Sequence, residues 1–168
     1  MIVGVLLILG GWGGSALAEE LKIGVVDMRR AINECQAGKE AKKLDNKELE
    51  KFQRLIAEKQ KELQTMKESL DKQGPMLSLD ARTNKEKEYQ TKLRDFQRWG
   101  EDSQNELNQK RMEMERTIAV GLEKVIQKLG EEEGYTVILE RNELIVLYGS
   151  KAIDLTDRVT RLFDAQKK

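Results

Sequence analysis

The chain reads as an α+β protein, mainly α: a long antiparallel helical hairpin, coiled-coil-like, projecting from a small body of short β-strands. Three observations predict this. Apolar residues recur at helical spacing from about Lys39 to Leu129. The run breaks once, at Gln73-Gly74-Pro75. Short Ile- and Val-rich stretches flank it on both sides, each too small to fold alone.

The first eighteen residues carry no charged side chain. Ile2 to Leu9 is an apolar and glycine run, Gly10 to Gly14 is glycine-rich, and Ala16 and Ala18 suit a signal-peptidase cut before Glu19. Residues 1–18 therefore read as a signal peptide cleaved after Ala18, although the usual basic start is missing. The alternative is a retained anchor, but this apolar run falls well short of the roughly 20 residues that span a bilayer. No Cys lies near the cut in a lipid-attachment context. A soluble exported product leaves Cys35 alone in an oxidising compartment, either buried and inert or available for an intermolecular disulfide.

Leu21 to Met28 predicts a strand, with Ile23 and Val25 on one face and Gly24 and Val26 on the other. Arg29 to Gln36 predicts a short helical turn, set off by Gly38. The first arm runs from about Lys39 to Lys72 and is roughly 50 Å long. Leu49, Phe52, Ile56, Leu63, Met66 and Leu70 form its seam, with Lys59 filling one vacancy. Gly74 and Pro75 end the arm. Ser78 is placed to cap the second arm, and Asp80 in its first turn complements the helix dipole. The tip carries Met76, Leu77 and Leu79, which either fold back as a staple or touch a partner.

The second arm returns from about Leu79 to Leu129. Gly100, Ser103 and Lys110 occupy seam positions, so the middle of the hairpin is thinly packed and able to bend or splay. From Ile118 through Leu122, Val125 and Leu129 the stripe is solidly apolar and must re-enter a core. Tyr135 to Glu140 and Leu144 to Tyr148 predict two strands joined as a hairpin by Arg141-Asn142-Glu143. A short helix follows, capped by Asp154, with Leu155, Val159 and Leu162 as its stripe.

The expected division is a discontinuous body, 19–38 plus 111–168, and an arm, 39–110, with its tip near 73–79. A body of under about 80 residues seldom holds one sufficient core without disulfides, metal or oligomerisation. One Cys forms no intramolecular disulfide. Self-association through the strands is the remaining route, and Ile23, Val25, Val137, Leu139, Ile145 and Leu147 are its candidate interface and body core.

Chemistry is scarce. The 168 residues include no His, which removes the commonest general base and transition-metal ligand. Lys and Arg balance Asp and Glu at 30 each, so no electrostatic footprint for nucleic acid exists. Charged residues make up 36% and aromatics 5%, with a mean hydropathy of −0.63, which suits an elongated helical protein. Between Lys59 and Arg98 ten Lys and Arg face seven Asp and Glu, either a solvated face or a weak attraction for acidic partners. Glu131-Glu132-Glu133 reads as solvated charge, and Trp99 as packing across the hairpin. No catalytic residue, cofactor site or metal site is expected, and an enzyme is not.

In their order along the chain, LKIGVVDMRRAINECQAGKEA, MLSLDARTNKEKEYQ and YTVILERNELIVLYGSKAIDLTDRV resemble the Skp/OmpH family of periplasmic chaperones. The resemblance covers essentially all of the mature chain. It implies a homotrimer whose strands complete a central β-barrel, with three helical hairpins projecting around a cavity. It further implies an ATP-independent periplasmic holdase that keeps unfolded outer-membrane β-barrel proteins from aggregating in transit. The client surface would be the cavity side of the arms together with Met76, Leu77 and Leu79. A membrane surface or lipopolysaccharide is a further partner left open. This chain departs from the strongly basic best-known members in being neutral, and Cys35 is not a family requirement. The competing reading is a trimeric coiled-coil spacer or adaptor in the cell envelope, against which Gly100, Ser103 and Lys110 count.

Overall fold

The computed structural model describes residues 21–142, 144 and 146–166. The order of elements is β1 (Ile23–Val26), α1 (Met28–Glu34), α2 (Gln36–Gln73), α3 (Leu79–Glu133), β2 (Val137–Glu140) and α4 (Thr156–Gln166). Single 3-10 turns lie at Gly74–Met76 and Lys151–Ile153. The molecule is mainly helical with a small two-stranded sheet.

Local chemistry sets the boundaries. Asp27 Oδ1 accepts the Arg30 N–H at 2.8 Å and starts α1. Cys35 is extended, ends α1, and accepts the Gly38 N–H on its Sγ at 3.3 Å. The first arm helix therefore begins at Gln36, ahead of the expected Lys39. Gly38 is not a separator but a buried residue of its first turn. A Cβ there would overlap the Ile32 carbonyl oxygen, so only glycine lets the two helices approach this closely.

At the far end, Ser78 Oγ accepts the Ala81 N–H at 3.3 Å, and Asp80 sits in the first turn of α3, as predicted. Helix α3 has 55 residues, about 80 Å, and ends at Gly134, whose φ of 65° is the left-handed conformation of a helix C-terminus. Helices α2 and α3 run antiparallel, joined by the Lys92–Glu62 ion pair, by Arg111–Asp45 at 3.2 Å and by a Lys85–Gln73 hydrogen bond at 3.2 Å. Among the described residues no helix is long and apolar enough to cross a membrane.

Strands β1 and β2 are parallel, in the register Ile23↔Val137 and Val25↔Leu139. The whole hairpin forms the long crossover that parallel neighbours require. The expected hairpin of Tyr135–Glu140 with Leu144–Tyr148 does not form. Asn142 turns the chain by itself: its Oδ1 accepts the Leu144 N–H, and its carbonyl accepts the Val146 N–H, both at 2.8 Å. The far edge of β1 is taken by the Asp154–Leu155 segment, with the Leu155 N–H donating to the Val25 carbonyl at 2.8 Å. A segment apolar on both faces needs cover on both sides, and one body of this size does not supply it.

The core lies where the end of α3 meets the rest of the body. Ile118, Leu122, Val125 and Leu129 pack with Val26, Ala31 and Cys35, and with Leu155, Val159 and Phe163 of the C-terminal segment. Each large side chain so buried contributes about 1.5–3 kcal/mol. The stripe of α4 includes Phe163, four residues after Val159, whereas the expected Leu162 is exposed. Cys35 is fully buried, the first of its two expected states. The buried hydroxyl of Thr156 accepts the Asp27 N–H at 2.9 Å, so α4 also fixes the start of α1.

Candidate functional site

The residues expected to form the interface divide cleanly. Ile23, Val25, Val137 and Leu139 share one face of the sheet because their register pairs them directly. Val25 is buried, but Ile23 is 36% exposed and Val137 and Leu139 are 38% exposed. Among the described residues β2 has β1 as its one strand neighbour, leaving an apolar strand at an open edge. Leu147 is not brought to this face. It lies on the following loop, where Leu144 and Leu147 are 91% exposed and Tyr148 is 88% exposed. Ile145 lies outside the described residues.

A charged cluster beside the sheet clasps that loop. Asp154 receives Arg141 Nη1 at 3.0 Å from the loop's start and Arg30 Nη2 at 3.3 Å from α1, and Arg30 also reaches Asp157 at 3.1 Å. Burial pushes the Asp154 carboxyl up, but hydrogen bonds from Thr156 and the charges of Arg30 and Arg141 outweigh it and hold the pKa below the ordinary value. Sequence reasoning missed this cluster: Arg30 is 124 positions from Asp154, and only the parallel sheet unites them.

At the tip, Met76 is 88% exposed and Leu79 80%, while Leu77 is half-buried. Folding back as a staple therefore fits Leu77 alone.

Along the arm, Trp99 packs across the hairpin on Phe52, with ring centroids 5.5 Å apart, and beside Phe96 at 6.3 Å. Lys59, the vacancy in the seam, places its ammonium 5.0 Å from the centre of the Trp99 ring. Leu63 is buried next to this cluster. Toward the body the packing thins as expected. No atom lies within 4 Å of a Cβ built on Gly100, and Lys110 turns to Glu106 at 2.7 Å.

There a cleft of about 650 Å3 runs along the two helices, lined by Ala37, Ala41, Leu44, Leu107, Met114 and Ile118 among others. The expected seam reached the α3 wall of this cleft at Leu107, Lys110, Met114 and Ile118, but on the first arm it began at Leu49 and left out the α2 wall. The signal was present in the small Ala37 and Ala41 and the apolar Leu44, spaced by four and three. Among the described residues no cluster of His, Cys, Asp and Glu could hold a metal ion.

The family described as Outer membrane protein (OmpH-like) matches residues 22–163. A protein of unassigned function from Aquifex aeolicus (strain VF5) is 29% identical over 150 residues, covering 89% of this chain and 90% of the relative. The crystal structure of a Caulobacter crescentus CB15 protein, provisionally assigned as an OmpH-like outer membrane chaperone, matches with a TM-score of 0.80. The two share 21% identity over 95% of this chain and 92% of that one, a likeness of fold. Because the family match runs from the start of β1 to the core residue Phe163 of α4, the chain belongs to the OmpH-like, or Skp/OmpH, family.

Proposed function

We propose that this chain is an ATP-independent periplasmic holdase that keeps unfolded outer-membrane β-barrel proteins soluble between its helical arms. One observation carries the reading: a long, loosely packed arm stands on a body whose sheet is left open. Ile23, Val137 and Leu139 on the sheet and Leu144, Leu147 and Tyr148 on the loop are apolar side chains in search of cover. A homotrimer whose strands complete a β-barrel supplies it, with body 19–38 plus 111–168 and arms 39–110 standing around a cavity. The provisional chaperone assignment of the Caulobacter protein supports the same role.

Export places the protein in the periplasm, with residues 1–18 removed after Ala18; that segment lies outside the described residues. The exposed Met76 and Leu79 at the tip contact the client or a membrane surface, lipopolysaccharide included. Release without ATP follows from many weak contacts on arms that flex, each lost at small cost. The test dilutes an unfolded outer-membrane β-barrel protein into buffer with stoichiometric amounts of the purified chain and no nucleotide. Turbidity should stay low; precipitation as fast as without the chain would rule the proposal out.

A further inference from the structure

We infer that the cleft at the base of the arm is a binding site for an extended peptide segment in which Lys or Arg alternates with apolar residues. The floor, Ala41, Leu44, Leu107 and Met114 foremost, is apolar, and three carboxylates, Glu40, Glu48 and Glu113, line it. The other two charged lining residues are already engaged, Asp45 by Arg111 and Lys110 by Glu106. Among the described residues Glu40, Glu48 and Glu113 form no ion pair. Glu40 accepts a hydrogen bond from Gln36 Nε2 at 2.9 Å and Glu48 lies in the field of Lys110. Acids still outnumber bases in the lining, so the cleft keeps a net negative charge over an apolar floor. This combination selects its occupant. An anionic lipid is repelled, a purely apolar segment gains nothing from the exposed carboxylates, and a cationic apolar peptide uses both the floor and the charge.

Size agrees. The lining runs from Ala37 to Glu48 on α2 and from Leu107 to Ile118 on α3, about 16 Å along each helix. That is the length of about five extended residues. The volume of about 650 Å3 suits the few side chains that such a segment directs inward. Glu40 and Glu48 are two turns apart on α2, so a basic residue at either end of the segment meets a carboxylate. As a place where clients are held, the site rests on the chaperone reading above; as a peptide site it is tested separately.

The test measures fluorescence anisotropy of a short labelled peptide alternating Leu and Lys, and of its Leu–Glu counterpart, against the purified chain. The Leu–Lys peptide should bind, its counterpart about tenfold more weakly or worse, and added salt should weaken the binding. The triple variant Glu40→Gln, Glu48→Gln, Glu113→Gln should lose about tenfold in affinity with its thermal midpoint unchanged. Ala41→Leu, which fills the floor, should weaken binding as well. Equal affinity for both peptides, or a triple variant that binds like its parent, overturns the assignment. So does absence of binding, above all if Leu44→Cys cross-links one copy to another, which would give the cleft to a second copy. The aggregation assay run in parallel separates the two proposals. A client kept soluble without peptide binding removes this site and leaves the holdase, whereas selective peptide binding with a precipitating client does the reverse.

Discussion

Helix α3 passes through two environments. From Ile118 to Leu129 it lies among α1, β1 and the C-terminal segment, and Ile118, Leu122, Val125 and Leu129 are all buried. From Leu79 to Lys110 it meets α2 and the tip, and Tyr89, Leu93, Phe96 and Leu107, the apolar residues at helical spacing on that stretch, stay half-buried. Helical spacing runs through both halves, but Gly100, Ser103 and Lys110 interrupt the arm's seam, and the arm also has fewer neighbours. Two helices cover only one side of each seam residue, and exposed ion pairs such as Lys92–Glu62 add little in water. The arm is thus a low-stability region held out by a high-stability one, the arrangement that regions built to move require. The body has a second asymmetry: a closed core on one side and an open sheet on the other.

The largest effect should come from the open side. Leu139→Asp places a charge where β2 is proposed to meet a second copy, and assembly should be lost to single chains of lower stability, read by light-scattering mass. An unchanged mass would place the interface elsewhere.

Next, Leu122→Ala should cost about 2–5 kcal/mol in chemical denaturation, because the site is fully closed. The same truncation in the arm, Leu93→Ala, should cost distinctly less, and equal costs would erase the distinction between the two halves of α3.

The Asp154 clasp ranks third. Only 13% of its side chain is exposed, and Asp154→Asn should cost about 1–3 kcal/mol. Its folded pKa is depressed, so its contribution is complete above the ordinary value of 3.8 and is lost as pH falls through the folded value. The wild-type protein should therefore lose stability in that acidic window, and the Asn variant should lose less.

Gly100→Ala should stabilise the arm by about 1 kcal/mol, since the added methyl meets nothing. Slower hydrogen exchange around residue 100, with no change in the body, is the expected sign. Smallest of all, Glu62→Ala removes an exposed partner of Lys92 and should leave the denaturation midpoint where it is.

Elements governed by local rules were readable in the sequence. The arms follow from apolar spacing, the tip from Gly74-Pro75, and the start of α3 from Ser78 and Asp80. The misread features depend on what packs beside a residue once the chain is folded. Gly38 looks like a separator until Ile32 is seen to need its missing side chain. Leu144 to Tyr148 has the composition of a strand, but one chain provides no neighbour for it, and Asn142 turns it away. The charged cluster joins Arg30, Arg141 and Asp154 across the fold, a proximity that no spacing announces. The basal cleft was half visible: Ala37, Ala41 and Leu44 keep helical spacing, yet a gap between helices shows only once both are placed.

Small-angle scattering coupled to solution mass is the most direct measurement, applied to the purified, processed chain. The expected result is the mass of three chains, an elongated envelope and a centre of low density between projecting arms. A monodisperse single chain whose open sheet stays unpartnered at working concentrations would contradict it.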